Sequence, residues 1–110
     1  MKRENIIKTK SFNFAIVNLY KELIERKEFV QLLKAGTSIG ANVREAELTQ
    51  SKADFIHKIS ISLKEANEVD YWLELLYKTK FISEVTFKKF KSKSTEILKI
   101  LITIVKSSKK

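Results

Sequence analysis

Wound as a helix at about 100° per residue, the C-terminal segment places Lys88, Lys91, Lys99 and Lys106 within one narrow stripe. Phe87, Phe90, Ile97, Leu98, Leu101, Ile104 and Val105 take the apolar side, and Lys89 and Lys93 sit toward the opposite flank. A row of ammonium groups on an amphipathic helix suits nucleic-acid phosphates or an anionic membrane surface. It also suits plain solvation, the usual meaning of surface lysines. Lysine meets a phosphate as a point charge. Arginine, the better reader of base edges, occurs only at positions 3, 26 and 44. Nucleic-acid binding through this stripe would therefore discriminate weakly among sequences. Lys88, Lys91, Lys99 and Lys106 are the candidate nucleic-acid-binding residues.

Other patterns carry less chemistry. Gly36-Thr37-Ser38-Ile39-Gly40 matches G-x-S-x-G, but that motif works at a strained strand-to-helix turn, with a histidine and an acid supplied later. Here it lies inside a helical period. The two glycines cost about 1 kcal/mol each relative to alanine in a helix, which close packing must offset. The single histidine, His57, makes no zinc site alone, and cysteine is absent. Glu65, Glu68 and Asp70 share one helix, yet no Glu-x-x-His pair of the di-iron kind occurs. A solvated or interface acidic face is the better reading. No catalytic residue, metal ligand, cofactor or small-molecule substrate is assigned, and the chain is read as a non-enzyme.

The elements that must position the stripe follow from composition. A chain of 110 residues is read as one domain, 1–110, with 44% hydrophobic residues, no proline and two glycines. So few breakers favour long helices. The formal charge is +9, uneven along the chain: +4 over residues 1–27, near neutral between, and +6 over 81–110. Charge of this size supports solubility and attraction to polyanions. The longest apolar run, Ile100 to Val105, is broken by Thr103, far short of the ~20 residues of a membrane span. The first residues lack the apolar run of a signal peptide. A cytoplasmic protein with no membrane role is expected.

Three-four periodicity predicts helices over about 11–26, 29–49, 52–79 and 84–106, packed up-down-up-down as an antiparallel all-α four-helix bundle. Residues 1–8 read as a frayed basic lead-in, though Ile6 and Ile7 could dock. Ser51 and Ser83 are expected to cap the third and fourth helices. Folding the central hairpin about Gln50 brings Ala35 and Gly36 level with Ala66. Asn42 and Asp70 fall on apolar registers. A buried Asn42 could fix packing, or it could be rotated to the surface, and Asp70 could pair with a basic residue across the bundle or an interface. Phe14, Val17, Ile24, Ile61, Trp72, Leu75, Ile100 and Ile102 lie off the main stripes. Such extra arcs suit an oligomer; scattered exposed hydrophobics are the alternative.

Two segments carry a resemblance. Ser38, Ile39, Asn42, Val43, Glu45 and Ala46, followed by Lys64, Glu65, Ala66, Glu68, Tyr71, Trp72 and Leu73, resemble the bacterial 23S rRNA-intervening-sequence proteins. The resemblance implies an all-α bundle, a ring-shaped homopentamer and little chemistry. It also implies kinship with the accessory variability protein of diversity-generating retroelements, a basic pentamer that binds nucleic acid. The expectation is a self-assembling accessory protein that binds RNA or DNA. A scaffold that binds another protein is the alternative.

Overall fold

The computed structural model describes residues 2–22 and 27–109, with the backbone alone at 20–22 and 27–29. Four helices follow one another: α1 Arg3–Glu22, α2 Lys27–Glu47, α3 Lys52–Lys78 and α4 Glu84–Ser108. No strand occurs among the described residues. The result is an all-α, antiparallel four-helix bundle, 43 × 20 × 20 Å.

The connections obey local rules. Ser51 accepts a hydrogen bond from the Asp54 amide at 3.1 Å, and Ser83 accepts one from the Thr86 amide at 3.1 Å. Each serine thus satisfies a free N–H at a helix start. At the end of α3 the Phe81 amide donates to the Leu76 carbonyl and the Lys80 amide to that of Tyr77. That is a Schellman arrangement, and Lys80 holds its left-handed position at φ 65°. Tyr77 and Phe87 then stack face to face across the turn, 4.4 Å apart.

α1 begins at Arg3, eight residues before the expected Ser11. Its first turns are held on both sides. Thr9 is buried and donates to the Ile6 carbonyl, and Ile6 packs on the core, whereas Ile7 is exposed. Lys8 pairs with Glu4 on its own helix and reaches Glu96 of α4 at 3.3 Å. The expected end of this helix, with Leu23 and Ile24, lies outside the described residues.

The core runs through all four helices, with Ile16, Ile39, Leu73 and Leu101 sealed from solvent. On α2 the buried place beside Ile39 goes to Val43, not to Asn42. Asn42 is half-buried and donates to the Ser38 carbonyl and hydroxyl one turn back. On α3 the sealed face takes in Ser62, Val69 and Leu76. Ser62 donates to the Ile39 carbonyl across the helix pair at 3.1 Å. Ile39 lies four residues after Ala35 and Ser62 four before Ala66, so one register sets both pairs level. Gly36 does not join that contact. A Cβ there would come within 2.7 Å of Ile16 Cγ2, and one on Gly40 within 3.1 Å of Asn13 Cγ. The two glycines therefore seat α1 against α2.

Candidate nucleic-acid interface

The lysine stripe starts at the cap of α4. Ser83 fixes the helix start, and Glu84 in the first turn pairs with Lys88 at 2.9 Å. The hydrogen bond and charge of Glu84 raise the Lys88 ammonium above its ordinary value. One turn on, Lys91 leaves the outer surface and leans onto α3. Its Nζ donates to both oxygens of Asp70 at 2.7 Å and to Glu74 at 3.5 Å. Ser94 adds a hydroxyl to Asp70 at 3.4 Å. Burial works against the Lys91 charge, but the hydrogen bond and charge of Asp70, helped by Glu74, outweigh it and raise its value. Asp70 thus finds its basic partner across the bundle.

Lys99 and Lys106 differ from these two. Both are exposed, and among the described residues neither has a carboxylate partner. They stand seven residues apart, about 10 Å along the helix. The stripe therefore divides into a neutralised N-terminal pair and a free C-terminal pair. Near the free pair the start of α1 closes on the end of α4. A groove of about 620 Å3 there is lined by Lys2 just before α1, by Glu4 and Asn5 from α1 and by Thr103, Ser107 and Ser108 from α4. Lys2 and Arg3 thereby join Lys106 and Lys109 at one end of the bundle. This clustering comes from the antiparallel fold, and no spacing within one helix shows it.

The other patterns fall elsewhere. Gly36–Gly40 is helical throughout, and the Ser38 hydroxyl accepts from Asn42. His57 is exposed on α3. Asp70 is taken by Lys91, while Glu65 lies beside Glu68. Burial first, then the neighbouring Glu68 carboxylate, raise the Glu65 carboxyl above its ordinary value, against the opposing charge of Lys64. Among the described residues no three His, Asp or Glu side chains are grouped to hold a metal, and no helix is long and apolar enough to cross a membrane.

Residues 3–103 match the family described as 23S rRNA-intervening sequence protein. The chain belongs to that family. The chain is 51% identical to a solved protein of unknown function from the S23 ribosomal protein family of Bacteroides thetaiotaomicron. That protein superposes with a TM-score of 0.90 over 93% of this chain and 98% of its own. No curated protein matches the chain. The Ser38–Ala46 run that carries the resemblance to the 23S rRNA-intervening sequence family spans both flanks of α2. Gly40, within it, faces α1, while Ser38 and Asn42 bond to each other.

Proposed function

We propose that the chain is a non-catalytic, cytoplasmic bundle that assembles with copies of itself, as a ring of five by family likeness, and binds RNA or DNA with little regard to sequence. The observation that carries the binding is the free cationic end of the bundle, where Lys99 and Lys106 lack carboxylate partners among the described residues. Lysines in this state release counterions on meeting phosphates. With +9 on each chain, assembly multiplies that field. The family's description refers to 23S rRNA, so RNA is the first polyanion to try.

The test is fluorescence anisotropy with labelled single- and double-stranded oligonucleotides across a salt series. Affinity should fall steeply with salt for every sequence alike. Lys99→Glu with Lys106→Glu should weaken binding and flatten the salt slope. Lys88→Ser should do less, because Glu84 already neutralises that charge. No binding at ~50 mM salt, where such contacts are strong, would overturn this reading. It would then favour a protein-binding scaffold, a reading supported by the neutralised state of Lys88 and Lys91.

A further inference from the structure

Two surfaces of the bundle are unfinished in opposite senses. The first is a groove of about 500 Å3 between α1 and α2, with Ile6, Phe14 and Val43 among its walls and Lys10, Arg44 and Glu47 at its edge. Gly40 keeps its floor low, since a Cβ there would press on Asn13. Asn13 Oδ1 is shut off from solvent and, among the described residues, accepts no hydrogen bond. A buried acceptor without a donor is costly to leave so. Phe14 is 56% exposed, with Lys10 Nζ 5.9 Å from its ring centre.

The second surface is the outer ridge of α3. Tyr71 is 58% exposed and stands edge-on to Trp72, with ring centres 5.1 Å apart. Among the described residues neither the Tyr71 hydroxyl nor the Trp72 indole N–H donates to a partner, and neither Glu65 nor Glu68 is in an ion pair. Lys64 lies on the same face and offsets the Glu65–Glu68 repulsion only in part, so the ridge keeps an excess of negative charge.

We infer that the α1–α2 groove of one copy receives the α3 ridge of a second copy, a contact that deepens the self-assembly proposed above and rests on it. Lys10 and Arg44 meet Glu65 and Glu68, Phe14 joins the Tyr71–Trp72 pair, and Asn13, once turned out toward the groove, takes the donor it lacks from the ridge. The groove sets two cations against Glu47 and the ridge two carboxylates against Lys64, so groove on groove would oppose net positive charges and ridge on ridge net negative ones. The contact is therefore heterologous: each copy offers a groove to one neighbour and a ridge to another. Contacts of this kind close into rings or run on as filaments. Lys99 and Lys106 take no part, so the cationic end stays open to phosphate in the assembly.

The test is light scattering coupled to size exclusion, at micromolar protein without nucleic acid, with circular dichroism to confirm helix content. The wild type should run as a closed oligomer of more than two chains. Lys10→Glu with Arg44→Glu should give a folded monomer, as should Glu65→Lys with Glu68→Lys. The fourfold variant inverts both surfaces and should regain the wild-type mass. A monomeric wild type would overturn both the self-assembly and this contact. An oligomeric wild type whose two double variants keep its mass would overturn the contact alone, as would a folded fourfold variant that stays monomeric.

Discussion

Gly36 stands directly against Ile16, where the space for a Cβ is filled to within 2.7 Å by the isoleucine Cγ2. That methyl branches close to the backbone of a sealed residue, and the Ile16 Cβ itself would lie at 3.1 Å. It has little room to move aside.

Gly36→Ala should therefore destabilise, although alanine is the better helix former by about 1 kcal/mol. Overpacking of this kind costs about 1–3 kcal/mol, and each kcal/mol moves Tm by roughly 4–8 °C in a domain of this size. Gly40→Ala should be milder, because Asn13 borders an open groove and can turn toward it. Thermal melts of the two variants check the order. A larger loss for Gly40→Ala would contradict the seating of α1 on Gly36.

The Asp70–Lys91 pair ties α4 to α3. Replacing Lys91 by Met leaves a half-buried carboxylate with Ser94 as its main remaining partner, at a cost of about 1–3 kcal/mol. Adding Asp70→Asn should restore part of that loss. The pH dependence follows from the raised Lys91 value. A lysine whose folded value exceeds 10.5 gives stability that is complete below 10.5 and lost as pH rises through the folded value. The difference in urea midpoint between wild type and Lys91→Met should stay constant from neutral pH to about 10 and shrink above it.

Lys80 occupies the left-handed position after α3 with φ 65°, a conformation that costs an L-residue roughly 1–2 kcal/mol. Lys80→Gly removes that cost and gives back part of it through the freer unfolded chain. The expected outcome is a gain below about 1 kcal/mol, read as a higher Tm with unchanged helix content. A lower Tm would show that the lysine side chain contributes more than its backbone loses.

Features set by near neighbours in the chain were legible in the sequence. Ser51 and Ser83 cap as expected, because a cap needs only the amide three residues on. Phe90, Ile97 and Leu101 are buried as their spacing requires. What periodicity does not settle is which neighbour covers a given flank. Gly36 was expected opposite Ala66 and lies against Ile16 instead. Asn42 and Val43 differ by about 100°, and the helix resolves the choice by burying the valine. The same limit applies to the lysines. A wheel places Lys91 at the edge of the stripe but does not show Asp70 and Glu74 beneath it.

That edge position has its own test. Lys99→Glu should leave stability within about 0.5 kcal/mol of wild type, as exposed substitutions do. Lys91→Glu should lower it by more, since a third carboxylate would face Asp70 and Glu74. Chemical denaturation of the two variants separates a solvated cation from a structural one.

α1 leans chiefly on α2 and touches α4 only sparingly. The Ile16 contact with Gly36 belongs to the one seam that chiefly holds that helix, and the α2–α3 hairpin does not depend on it to the same degree. Partial openings should begin by α1 swinging away as a unit, so that its amides exchange with solvent at a lower free energy than those of α3. In that open form the hairpin keeps its ridge while the groove is dismantled, so a chain could offer a surface to its neighbour before it can accept one.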